Sequence, residues 1–117
     1  QGQRQIVILA RCIVQDSPVM LMDEPDSALD FLNRHMVLSK IRELIKEENK
    51  AGLITLHDPN FAMAYCDRLL LLKEGRLVGE LDMRRAKADE VKKKLSLIYG
   101  DIELLQSGDS FLMGKAL

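Results

Sequence analysis

Residues 19–25 read Val19-Met20-Leu21-Met22-Asp23-Glu24-Pro25, four apolar side chains running without a polar break into two acids and a proline. A short continuous apolar run of this kind marks a strand buried on both faces of a parallel sheet. Upstream, residues 4–15 place Ile6, Leu9, Ala10, Ile13 and Val14 at helical spacing, and Asp16-Ser17-Pro18 breaks the pattern. Downstream, Asp30 can cap a helix over 31–49, in which Val37, Leu38, Ile41, Leu44 and Ile45 share one face. Gly52 stands where that helix should stop. Leu53-Ile54-Thr55-Leu56 is a second buried strand, ending in His57. Asp58-Pro59 then supplies an N-cap and a first-turn proline for a short helix reaching about Cys66.

The remainder reads just as directly. Leu69–Leu72 is a third apolar strand, and Glu74-Gly75-Arg76 turns it back into an antiparallel hairpin with Leu77–Leu81. Ala88, Val91, Leu95 and Ile98 form the stripe of a last helix closed by Gly100. Two weaker strands, 102–106 and 110–113, flank Ser107-Gly108-Asp109. Strands alternating with helices predict an α/β fold with a mostly parallel sheet and an antiparallel edge. At 117 residues there is room for one domain at most.

Composition narrows the function. Lys plus Arg is 17 and Asp plus Glu is 18, a net charge of −1, which argues against a nucleic-acid binder working by bulk positive charge. No apolar run exceeds about five residues, against the roughly 20 of a membrane helix, so any membrane contact is expected to be indirect. Cys12 and Cys66 sit in apolar stretches and read as buried thiols of a reducing compartment. The basic run Arg84-Arg85-Ala86-Lys87 with Lys92-Lys93-Lys94 is interleaved with Asp89-Glu90 and reads as a solvated helix face. His35, mid-helix beside Arg34, reads as a surface or satisfied residue.

Chemistry belongs at the carboxyl ends of the strands, where ligands bind in open α/β sheets. Two of the three buried strands end there in ionisable groups, Asp23-Glu24 and His57. Adjacent residues at a strand end point in different directions, so the two acids cannot share one role. One can hold Mg²⁺ while the other orients a water for attack.

With Ser27-Ala28-Leu29-Asp30 and Thr55-Leu56-His57-Asp58 in the same order and spacing, the chain resembles the ATPase domain of ABC transporters. Asp23-Glu24 match the Walker B motif, Ser27 to Asp30 the D-loop and His57 the switch histidine; Gly2-Gln3-Arg4-Gln5 resemble the end of the signature motif. His57-Asp58-Pro59-Asn60 with Ala62, and Ile98-Tyr99-Gly100 before a short strand, are similar to ATPases of iron-siderophore, haem and cobalamin importers. The resemblance implies a partial P-loop NTPase (RecA-like) fold: 1–15 the signature end and helix, 16–82 the Walker B, D-loop and switch-histidine core, 83–117 the C-terminal helix and weak strands. It implies ATP and Mg²⁺ as ligands, Asp23 on the metal, Glu24 as general base and His57 on the γ-phosphate. It also implies Gly2 and Gln3 on the nucleotide of the opposite subunit, and Asp30 at the dimer seam. The implied partners are a second ATPase subunit and membrane permease subunits, with the protein cytoplasmic and peripheral at the inner face of the membrane. A soluble ABC ATPase of DNA repair or translation would share these motifs, and a non-catalytic remnant is a third reading.

The departures from the family pattern are as informative. The seven glycines include no G-x-x-x-x-G-K-[ST] loop, and Gly114-Lys115-Ala116 lacks both the hydroxyl and the upstream glycine. Gln1 stands where the first signature glycine is usual, and the chain opens without an initiator Met, as the middle of a longer sequence would. In the family the phosphate-loop strand lies between the strand ending at His57 and Leu69–Leu72, so the sheet is expected to lack that strand and to carry unpaired edges. Main-chain N–H groups and a lysine in that loop supply most triphosphate binding. The 117-residue chain alone is therefore expected to show no saturable Mg-ATP binding at sub-millimolar concentration and no hydrolysis above background. One-to-one micromolar binding by calorimetry would overturn this.

Overall fold

The computed structural model describes residues 18–115. In chain order the elements are β1 (Val19–Asp23), α1 (Phe31–Glu47), β2 (Ala51–Thr55), α2 (Pro59–Tyr65), β3 (Arg68–Lys73), β4 (Arg76–Asp82), α3 (Ala88–Tyr99), β5 (Ile102–Ser107) and β6 (Ser110–Lys115). They divide into two units, with the boundary between His57 and Asp58. The expected signature helix over 4–15, with Cys12, lies outside the described residues.

In the first unit β1 and β2 pair in parallel, in register from Val19 opposite Ala51 to Asp23 opposite Thr55. Parallel neighbours need a crossover, and α1 supplies it. The helix starts where the sequence places it: Asp30 takes the Asn33 backbone N–H at 2.9 Å on one carboxylate oxygen and the Asn33 side-chain amide at 3.1 Å on the other. Its end is set differently from the expectation. Asn49, not Gly52, adopts the left-handed conformation (φ 52°) that stops the helix, and the Lys50 N–H closes back on the Ile45 carbonyl at 2.9 Å. Asn is the residue after glycine best able to take that conformation. Gly52 instead lies inside β2, where a Cβ would collide with the Ile45 Cδ1 atom. Glycine there leaves room for the tip of the Ile45 side chain.

The expectation that the first two strands are buried on both faces is corrected. Met20 is buried, but Leu21 is 70% and Leu53 53% exposed. Side chains alternate along a strand, so Val19, Leu21 and Leu53 share one face and Met20, Met22 and Ile54 the other. Burial on both faces needs a layer on each side; on the Met20 side the Ile45 side chain of α1 lies over Gly52, and Val37, Leu38 and Ile41 are the helix's buried residues.

The second unit holds a fuller core. β3 and β4 form an antiparallel hairpin whose two turn residues, Glu74 and Gly75, both have positive φ (52° and 75°), the arrangement that matches strand twist. β5 and β6 form another, turning at Gly108. Met63 of α2, Leu69 and Leu71 of β3, Leu81 of β4, Val91 and Leu95 of α3 and Ile102 of β5 make one buried cluster, with Cys66 packed against it. Pro59 opens α2, and Asp58 caps it by accepting the Asn60 N–H at 2.8 Å. After β4, the Arg84 backbone N–H, and then its guanidinium, hold the Asp82 carboxyl below its ordinary range. Asn60 spends its side-chain amide on one residue of β6, donating to the Met113 carbonyl (3.1 Å) and accepting from its N–H (2.6 Å).

The sheet expectation is thereby corrected in part. The described strands form three two-stranded sheets, one parallel and two antiparallel, rather than one mostly parallel sheet. The two-residue turns reverse the chain and give the two antiparallel pairs, while the helix between β1 and β2 supplies the crossover of the parallel one.

Two-stranded pairs are marginal alone, and the first unit leaves Val19, Leu21 and Leu53 open. The 117-residue polypeptide by itself is expected to associate at micromolar concentration by strand pairing over open edges. Analytical ultracentrifugation with denaturant melts checks this. A monodisperse monomer with a cooperative transition above about 5 kcal/mol would contradict it.

Candidate active site

Because β1 and β2 run parallel, their carboxyl ends lie at the same end of the pair, and the residues that follow each strand emerge side by side. Asp23 and Thr55 are the last partners in the register. The Thr55 hydroxyl donates to Asp23 Oδ1. Beyond them, the Glu24 N–H donates to both the Thr55 carbonyl (3.1 Å) and the Thr55 hydroxyl (2.9 Å). Glu24 itself has φ 46°, a left-handed conformation that costs a residue with a Cβ about 1–3 kcal/mol and persists only where neighbours fix it. That turn directs the chain out of the strand and into the loop before α1.

Two residues past β2, the His57 Nε2 atom contacts Glu24 Oε1. Glu24 is one-third exposed and His57 almost fully exposed. A carboxylate and an imidazole thus meet at an accessible strand end.

The loop between Glu24 and α1 is held from beneath. The Ser27 N–H returns to the Glu24 carbonyl at 3.0 Å and the Leu29 N–H to the Asp26 carbonyl at 3.3 Å, with Ala28 at φ 65°. Asp26, 4% exposed, accepts the Arg34 Nε–H at 3.0 Å. This ion pair ties the loop to the first turn of α1.

Of the residues singled out from sequence, Asp23, Glu24 and His57 come together at one strand end. Asp30 stands apart as the cap of α1, both of its carboxylate oxygens engaged by Asn33. Gly2 and Gln3 lie outside the described residues. His35 packs edge-on against Phe31, with ring centroids 4.6 Å apart. Sequence reasoning missed Asp26 and Thr55. Asp26 is one of four acids in eight residues, with no local mark of burial, and Thr55 reads as an ordinary β-branched strand residue. The signal that could have found Thr55 is register: in a parallel pair, the polar residue two before His57 falls opposite Asp23.

Among the described residues no group of three or more His, Cys, Asp and Glu side chains could hold a metal. A lone strand-end carboxylate suits Mg²⁺, a hard cation that takes one or two carboxylates and fills its shell with water and phosphate oxygens. Among the described residues no helix is long and apolar enough to cross a membrane.

Comparison with known proteins bears on the chemistry. No family model matches the sequence. The chain is 35% identical over 108 residues to a phosphonates import ATP-binding protein of Nostoc sp., covering 92% of this chain and 40% of that protein. It is 38% identical over 104 residues to a hemin import ATP-binding protein of Vibrio parahaemolyticus, covering 85% and 39%. It is 40% identical over 76 residues to a cobalamin import ATP-binding protein of Halobacterium salinarum, covering 65% and 19%. The structure superposes with a TM-score of 0.74 and 29% identity on a chain from an inward-facing, metal-chelate type ABC transporter, over 97% of this chain and 45% of that one. The chain thus spans about 40% of the length of the first two relatives.

Removing one partner of a buried ion pair leaves the other charge uncompensated, at a cost of about 3–5 kcal/mol. Arg34 is one-quarter exposed, so Arg34→Ala is expected at the low end, about 3 kcal/mol, in urea melts of the subunit carrying this segment. Adding Asp26→Asn should recover part of that loss. A double variant no more stable than Arg34→Ala would show that the buried charge is not the source.

Proposed function

This chain belongs to the family of ABC-transporter ATP-binding subunits, and on that footing we propose that it is the portion of an import ATPase in which the water that cleaves ATP is activated. The observation that carries the reading is the meeting of Glu24 and His57 beyond the carboxyl ends of two parallel strands, with Asp23 beside them. The fold is then part of a RecA-like P-loop NTPase sheet. By sequence correspondence alone, 1–15 match the signature end, 16–82 the core and 83–117 the C-terminal portion. Gly2 and Gln3 match the signature motif by sequence and would serve the nucleotide of a second ATPase subunit, with Asp30 at the seam between the two.

Glu24 Oε takes the proton of the attacking water, a role worth roughly 10²–10⁴ in rate. His57 offers its Nε2 proton where charge gathers on the γ-phosphate. Asp23 would hold Mg²⁺, which when bound with ATP neutralises charge on the phosphate oxygens. The left-handed turn at Glu24 keeps the base and the Asp23 carboxylate from competing for one position. The protein would dock on permease subunits at the cytoplasmic face of the membrane. The haem, cobalamin and metal-chelate relatives support a chelated metal as cargo. The phosphonate relative, matched over 92% of the chain, supports an organic phosphorus anion as the second reading.

Within a full-length subunit, Glu24→Gln keeps the shape but cannot take a proton. Steady-state phosphate release should fall by roughly 10²-fold or more while ATP binding survives. Asp23→Asn should instead raise the Mg²⁺ concentration needed for turnover. A Glu24→Gln rate within twofold of the parent would remove the base from this residue.

A further inference from the structure

We propose that Thr55 is a positioning residue for both carboxylates of the site, one hydroxyl fixing the Asp23 side chain and the Glu24 main chain together; this rests on the roles assigned above to Asp23 and Glu24. A threonine hydroxyl has one proton to give and two lone pairs to accept with. Here the proton goes to Asp23 Oδ1, and a lone pair takes the Glu24 N–H at 2.9 Å. The Thr55 carbonyl takes the same N–H at 3.1 Å, so the turn at Glu24 is fixed from two atoms of one residue.

The placement follows from the fold. Asp23 and Thr55 are partners in the last rung of a parallel pair, so their side chains leave the same face of the sheet. The β-branch of threonine restricts χ1, which sets the direction of the hydroxyl in advance. Glu24 adopts φ 46° without the freedom of glycine, so its conformation needs an outside constraint. With Asp23 Oδ1 held by the hydroxyl, the carboxylate presents Oδ2 in a fixed orientation. The carboxylate that would meet the metal and the backbone that aims the base therefore move as one body.

A group of this kind acts through the residues it orients, and losing such a partner typically costs 10–100-fold in metal affinity or activity. The test compares Thr55→Val, which keeps the branched shape and strand preference, with Thr55→Ser, which keeps the hydroxyl. Asp23→Asn and Glu24→Gln are measured in parallel, all in the full-length subunit. Mn²⁺ binding is read by electron paramagnetic resonance with a non-hydrolysable ATP analogue bound, alongside kcat, KM for ATP and the urea midpoint. Thr55→Val is expected to weaken Mn²⁺ binding and lower kcat by about 10-fold each, with KM for ATP and the midpoint close to the parent. Thr55→Ser is expected to restore both losses to within a few-fold of the parent.

If Thr55→Val leaves Mn²⁺ affinity and kcat within twofold while Asp23→Asn and Glu24→Gln show their losses, the positioning role is wrong and the site stands. A loss in Thr55→Val that serine does not repair, or that tracks a lowered urea midpoint, shows a structural role and also overturns it. If Asp23→Asn and Glu24→Gln are themselves without effect, the reading of the site fails and the role of Thr55 falls with it.

Discussion

Two parallel strands bring the residues beyond them to one place only while their register holds, and in β1 and β2 the last rung sets Asp23 opposite Thr55. A slip of one residue would turn every side chain of the sliding strand to the opposite face. It would take Thr55 from Asp23 and move His57 along the strand away from Glu24. The register is held by features that have nothing to do with chemistry. Met20 is buried on the face that α1 covers, and Gly52 opposite it leaves room for Ile45. The geometry of the candidate site is thus a by-product of how one helix packs on one strand pair.

Much of this was legible in the sequence because it is local. Asp30 as a cap, Asp58-Pro59 opening α2, and Glu74-Gly75 and Gly108 at hairpin turns are choices that neighbouring residues alone dictate. Asp23, Glu24 and His57 could be singled out because acids and a histidine ending apolar runs are unusual. The roles proposed for them draw on the family resemblance and the geometry together.

The features that escaped are those that depend on what a residue faces. An apolar run says that a strand prefers burial, but not how many layers are present to bury it, and Leu21 and Leu53 remain open. Gly52 looks like a helix stop until the Ile45 side-chain tip is seen to lie where its Cβ would be. Asp26 becomes distinguishable from neighbouring acids only when Arg34 reaches it across the loop.

The pairing of Asn60 with Met113 has a consequence for the edge of β6. An exposed strand edge is a template for any passing backbone, because it offers an N–H and a C=O at each open rung. A carboxamide resembles a peptide group, with N–H and C=O in one plane, and Asn60 places it where an intruding strand would dock. Aspartate there would bring acceptors without a donor, and leucine neither. The side chain serves as a counterfeit length of strand, one rung long, that satisfies the edge from inside the same molecule and denies that rung to others.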